Sequence, residues 1–244
     1  MTERVALVTG GTRGLGAAVS EALVGRAVTV VGVFRSDRAS AESLRDRCGG
    51  LLEIHQVDVT DPTACTALVD GVLDAHGRLD YLVNNAGAVH EARLAEIGTD
   101  QWRASLALNL SAAFFLSQAA LVPMKAQRFG RIVNVSSVSA TMGSSFQVDY
   151  AAAKAGLIGL TRSMARAAAR SSVTVNCLVL GGFETDLLED LALTDRSIVE
   201  ASVPIGRFGR PEEFAHAVLS LLDEDASYIT GATLAVDGGL AMGQ

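Results

Sequence analysis

Short apolar runs alternate with longer stretches of helical spacing along almost the whole chain. Residues 4–9 are apolar and β-branched and end at a glycine cluster, after which 17–24 repeats its apolar positions at the interval of a helix. The same pattern predicts further strands over 28–34, 51–57, 79–83, 131–136, 173–179 and 232–236, and helices over 62–75, 99–125, 148–169 and 211–222. Residues 181–193 read as a mobile loop with short helical pieces, within a substrate lid expected around 181–205. Strands that alternate with helices through short connections predict an α/β fold: a doubly wound sheet of about seven parallel strands with helices on both faces. No Pro/Gly linker or internal repeat divides the chain, so a single domain is expected over 1–244.

Composition narrows this picture. With 49% hydrophobic and 19% charged residues, and 24 Gly against only 4 Pro, the chain falls outside the disordered and collagen-like classes. Twenty basic against 27 acidic residues leave a formal net charge of −7, which argues against a general nucleic-acid or anionic-membrane surface. Cys48, Cys65 and Cys177 form no close pair, a pattern suited to a reducing compartment, and they read as small buried hydrophobes. The four histidines are equally scattered and give a metal site no support. An acidic N-terminus that reaches glycine early is unlike a signal peptide, and no apolar run reads as long enough to span a membrane, so a cytoplasmic protein is expected.

The stretch RIVNVSSVSATMGSSFQVDYAAAK, 131–154, brings two hydroxyls, a phenol and an ammonium within reach of one reaction. Tyr150 and Lys154 fall at i and i+4 of the predicted helix, on one face. A free phenol has a pKa of about 10, and a cation within ~4–6 Å favours its ionised form, so Lys154 is expected to lower that value and make Tyr150 a working acid or base. A serine at the strand end would hold a carbonyl oxygen where negative charge grows as a hydride reaches carbon. This donor set suits carbonyl reduction.

The glycine cluster GGTRGLG lies between the first strand and the first helix. Gly10, Gly14 and Gly16 there allow a tight turn and close approach to a pyrophosphate, so a dinucleotide is expected at that helix N-terminus. No acid ends the second strand; Arg35, with Arg13 from the glycine turn, is placed to pair with a 2′-phosphate, which predicts NADP(H). Asp58 ends the third strand, where capping the next helix and touching adenine both fit. Asn84-Asn85-Ala86-Gly87 forms a polar turn beside the cofactor. Asn109, in the apolar setting LALNLSAAFFL, either satisfies its own neighbourhood or fixes a water near Lys154.

With the glycine turn, Asn84-Asn85-Ala86-Gly87, Asn109, Ser137 and Tyr150-x-x-x-Lys154 in this order, the whole chain resembles the short-chain dehydrogenase/reductase family. Within that family it is most similar to 3-oxoacyl-[acyl-carrier-protein] reductases, through SATMGSSFQVDYAAAKAGLIGLTRSMAR, PIGRFGRPEE and SYITGATLAVDGG. The resemblance implies a Rossmann-type fold in which Tyr150 gives its proton to the substrate oxygen, Ser137 holds that oxygen, Lys154 grips the nicotinamide ribose and Asn109 orders a relay water. It also implies cofactor contacts from Gly10, Thr12, Arg13, Gly14, Leu15, Gly16, Arg35, Asp58, Val59, Asn85, Ala86, Gly87, Tyr150, Lys154, Phe183 and Thr185, and a homotetramer.

After the sixth strand the chain departs from the family's Pro-Gly, with Leu180-Gly181-Gly182-Phe183-Glu184-Thr185 in its place. The missing proline is expected to free the backbone and Phe183 to crowd the nicotinamide. The leading expectation is an NADPH-dependent reductase of a 3-oxoacyl thioester, on acyl carrier protein or coenzyme A, with Arg128, Arg170 and Lys125 as candidate carrier contacts. Two alternatives are an alcohol or sugar dehydrogenase running toward oxidation, and an NADP-sensing regulator without catalysis.

Overall fold

In the computed structural model, which describes residues 4–185 and 195–242, seven strands form one sheet. They are β1 Val5–Thr9, β2 Thr29–Phe34, β3 Leu52–Gln56, β4 Tyr81–Asn84, β5 Gly130–Ser137, β6 Val173–Leu180 and β7 Thr233–Val236. Their order is β3-β2-β1-β4-β5-β6-β7, every neighbouring pair parallel. The helices are α1 Gly14–Val24, α2 Arg38–Cys48, α3 Pro62–His76, α4 Thr99–Leu106, α5 Ala112–Ala126, α6 Ser139–Met142, α7 Val148–Ala168, α8 Arg196–Ser202 and α9 Pro211–Leu222. The expected doubly wound sheet is present, with each predicted strand found to within two residues at its ends. Helix α2 was not foreseen: it is strongly polar and buries only Ala41 and Leu44, so its apolar spacing is faint. Asp37 starts it by accepting a hydrogen bond from the Ser40 amide at 3.1 Å.

Alternating side chains of the strands divide the core into two layers. Val5 and Leu7 pack with α3, α5 and α7 on one face, and Ala6 and Val8 pack with α1, α2 and α9 on the other. At the amino-terminal edge of the sheet, fully buried Asp80 accepts from Arg4, Arg78 and the Val5 amide at 2.7–2.9 Å. Beside it Phe129 lies between the guanidinium groups of Arg4 and Arg131, 3.9 and 4.6 Å from the ring centre.

Two expectations need correction. Helices α4 and α5 join through a π turn, Ala107–Ser111, into one 28-residue helix that is long and apolar enough to cross a membrane by length and composition. Among its buried residues, Ala112, Leu116, Ala120 and Met124 lie in the sheet's own helical layer, which accounts for part of the apolar composition. The second concerns the expected lid, of which 186–194 lie outside the described residues. Leu180 is not freed by the lack of proline: it ends β6, paired with both Ser137 and Val236. Phe183 is buried, packs edge-on against Phe214 at 6.1 Å and pairs with Gly209, whose missing side chain makes room for its ring. Hydrogen bonds from Gly209 to Gly182 (3.0 Å) and from Glu184 to Gly209 (2.9 Å) close this clasp. The ring that was expected to crowd the nicotinamide is thus anchored in the core.

Candidate active site

The chain leaves β1 toward β2 on one side and later places β4 on the other, opening a crevice at the carboxyl ends of these strands. A cleft of about 610 Å³ runs from there across the ends of β5 and β6. Gly10 (φ +62°) and Gly14 (φ +51°) take left-handed conformations in the first turn. At Gly16 a Cβ would lie 2.0 Å from the Gly10 carbonyl oxygen, so only glycine lets α1 begin this close to the turn. The second turn pins the first: Asn85 Nδ2 donates to the carbonyls of Thr9 (2.9 Å) and Gly10 (3.3 Å), and Thr9 Oγ1 accepts from the amides of Asn85 and Ala86. Thr9 was passed over in the sequence, where only its place before the glycines marks it.

No side chain caps α1 and its first turn holds no acid, so its amides and positive dipole end are open to an anion. Thr12, Leu15 and Ala86 complete this part of the cleft. This cradle fits a pyrophosphate. At the far end Arg13 and Arg35 are exposed beside Asp58 and Val59. Asp58 does not cap α3, since Asp61 does so through the Thr63 amide at 2.8 Å. Asp58 instead accepts from Thr60, and those bonds, aided by the charge of Arg35, hold its carboxyl below the usual range. Asp37 is likewise held low by Ser40, with Arg13 contributing.

The catalytic candidates meet at the other end. Ser136 is spent on structure, its hydroxyl donating to the Lys154 carbonyl at 2.8 Å, whereas Ser137 faces the cleft beside Tyr150. Lys154 is buried, with Nζ 5.5 Å from the Tyr150 ring centre and donating to the Val135 carbonyl at 2.8 Å. Burial pushes the Tyr150 phenol up to about 12, the Ser137 hydrogen bond pulling the other way. Burial brings the Lys154 ammonium down to about 8. The phenol is therefore raised, not lowered as expected, because desolvation outweighs a lysine whose ammonium is turned to a main-chain carbonyl.

Asn109 sits in the π turn of the long helix, fully enclosed. Its Nδ2 donates to the Ala88 carbonyl at 2.9 Å and its Oδ1 accepts from the Ala88 amide at 3.2 Å, so the amide satisfies its own neighbourhood. The widened turn presents it to the backbone after β4. A Cβ on Gly87 would lie 2.9 Å from Asn109 Oδ1 and 3.3 Å from Lys154 Nζ, so glycine keeps the space above the ammonium open. Phe183 and Thr185 border the cleft on the β6 side.

A sequence model of the family described as enoyl-(acyl carrier protein) reductase matches residues 10–241. The chain is 43% identical to the 3-oxoacyl-[acyl-carrier-protein] reductase FabG of Vibrio cholerae and 41% identical to that of Salmonella typhimurium, in each case over 239 residues and 98% of both chains. The chain belongs to the short-chain dehydrogenase/reductase family. As a short-chain dehydrogenase/reductase it is an oxidoreductase that uses a nicotinamide cofactor. Tyr150 and Lys154, on α7, and Ser137, at the end of β5, stand in the cleft just described.

Proposed function

We propose that the protein is an NADPH-dependent reductase of 3-oxoacyl thioesters, carried by acyl carrier protein or coenzyme A, and forms the 3-hydroxy product. The reading is carried by the convergence of the Ser137 hydroxyl and Tyr150 phenol over Lys154, at one end of a cleft whose other end holds Arg13 and Arg35. The 3-oxoacyl-[acyl-carrier-protein] reductase activity named for relatives matched over nearly the whole chain supports the substrate class.

The cofactor, when bound, supplies hydride to the carbonyl carbon. Ser137 and Tyr150 hold the carbonyl oxygen by two hydrogen bonds that strengthen as its negative charge grows. A phenol near 12 is protonated throughout the physiological range, so Tyr150 enters as an acid and passes its proton to that oxygen. An alkoxide is a stronger base than a phenolate, which makes the transfer downhill. Lys154, near 8, is still mostly charged at pH 7; its ammonium steadies the phenolate left behind and holds the nicotinamide ribose. Asn109 fixes the backbone after β4 that borders the nicotinamide end.

NADPH is preferred over NADH because Arg13 and Arg35 meet the adenosine ribose while Asp37, the nearby acid, is occupied as the cap of α2. Exposed Arg128 and Arg170, with Lys125, form the landing surface for an acidic carrier. A cytoplasmic homotetramer fits the exposed Trp102, Phe114 and Val122 on α4 and α5 and the exposed Tyr228, Ile229 and Leu234 at β7. The test is NADPH oxidation with a 3-oxoacyl thioester, an enoyl thioester and simple ketones, and NADP⁺ reduction with secondary alcohols and sugars. Preferential turnover of the 3-oxoacyl thioester is expected; turnover confined to the enoyl thioester or to alcohols would replace the reading.

A further inference from the structure

Beyond the groups assigned above, a continuous hydrogen-bonded chain leads away from Ser137. The Ser137 hydroxyl donates to Ser139 Oγ at 3.4 Å, Ser139 Oγ donates to Gln147 Oε1 at 3.0 Å, and Gln147 Nε2 donates to Glu91 Oε1 at 3.3 Å. The Ser139 amide also donates to Ser137 Oγ at 3.2 Å. The four residues come from three separate segments: the loop after β4, the end of β5 with α6, and the turn before α7. A main-chain bond from Ala92 to the Phe146 carbonyl, at 2.9 Å, holds two of these segments together next to the Glu91–Gln147 contact.

The chain has a fixed direction. A carboxylate only accepts, so the amide nitrogen of Gln147 must face Glu91 and its oxygen must face Ser139. Ser139 then has to give its hydrogen to Gln147 and offers Ser137 only lone pairs. Ser137 in turn points its hydrogen toward Ser139 and accepts from the Ser139 amide. Each polar atom of this path is satisfied, and the rotamer of Ser137 is set by two bonds from one neighbour. The two Ser139 contacts fix where the Ser137 oxygen sits at the cleft wall, from which its hydrogen turns to a substrate oxygen.

We propose that Ser139, Gln147 and Glu91 are positioning residues for the hydroxyl of Ser137, with Glu91 setting the direction of the Gln147 amide. The proposal rests on the reductase reading in that Ser137 is taken to hold the substrate oxygen.

The test is a double-mutant cycle on kcat for the 3-oxoacyl thioester with NADPH. Ser139→Ala and Gln147→Met should each lower kcat about fivefold to tenfold, the worth of one ordinary hydrogen bond, while Ser139→Thr restores it. In a Ser137→Ala background the same changes should have no further effect on kcat. An unchanged or raised kcat in the single variants, or an equal loss without Ser137, would overturn the proposal and leave the chain as a tie between loops. A parent protein that turns over no 3-oxoacyl thioester would sink the reductase reading separately. The chain is then decided by crystal structures: Ser137 Oγ should hold one rotamer in the parent and spread over more than one in Gln147→Met, and an identical single rotamer in both would refute it.

Discussion

The two edges of the sheet use charge in opposite ways. At the amino-terminal edge Asp80 is surrounded by Arg4, Arg78 and the Val5 amide, and Arg131 spends its guanidinium on the carbonyls of Gly130, Ser172, Asp223 and Glu224 at 3.2–3.3 Å. Burial raises the Asp80 carboxyl, but the bonds from Arg78, Val5 and Arg4 outweigh it and hold the group below the usual carboxylate range. At the carboxyl-terminal edge Lys154 is as deeply buried yet has one neutral carbonyl partner, and burial drives its proton affinity down. At the first edge the carboxylate is fully paired and the Arg131 guanidinium, though lowered by burial, is bonded to four carbonyls, so the cluster serves stability. The second holds uncompensated groups whose missing partners are those a dinucleotide and a carbonyl would bring.

The comparison is broken most severely by Tyr150→Phe, which deletes the proton donor and little else. A fall in kcat of about 10²–10⁴-fold is expected, with the NADPH Kd within about twofold; steady-state rates and a fluorescence titration of cofactor check both halves. At the other edge Asp80→Ala should cost about 3 kcal/mol in chemical denaturation by stranding the Arg78 guanidinium and the Val5 amide and leaving Arg4 with Glu224 alone, while kcat at 25 °C stays within about twofold. The sign of the pH effect follows. A depressed carboxylate stabilises the fold above its unfolded value of about 3.9 and loses that contribution as pH falls through the lower folded value, so the parent should lose more stability in acid than Asp80→Ala does.

A smaller effect is expected from Arg35→Asp, which should reduce the preference for NADPH over NADH by about 10–100-fold, read from kcat/KM with each cofactor. Phe183→Ile sharpens the contrast from the loop side. Because the ring fills the space over Gly209 and against Phe214, the change should cost about 1–2 kcal/mol of stability without tightening the cofactor Kd.

Most strands, and the placement of Tyr150, Lys154 and Ser137, were legible because they depend on local patterns: apolar runs, an i, i+4 spacing and a serine at a strand end. Helix α2 was not, since two apolar positions among charges give no periodic signal. The loop after β6 was misread for a different reason. A missing proline and an added glycine describe what a backbone is allowed to do, and the partners that fix it, Gly209 and Phe214, lie about 25–30 residues away in a turn and on another helix. The rise in the Tyr150 phenol was hidden similarly: spacing places Lys154 near the ring but does not say that its ammonium turns to the Val135 carbonyl. The direction of the Ser137 chain also required the three-dimensional meeting of Glu91 with Gln147.

The contrast between the two edges turns on Lys154 being a buried ammonium with no anionic partner among the described residues until cofactor arrives. The chain contains two lysines, Lys125 and Lys154, so Lys125→Arg leaves a single lysine ammonium to follow by ¹³C-lysine NMR as pH is raised. The account predicts that this group titrates near pH 8 in the free protein, and that saturating NADPH lifts its value by bringing ribose hydroxyls and phosphates to it. Titration of the free protein at an ordinary lysine value of about 10.4, unmoved by NADPH, would contradict it.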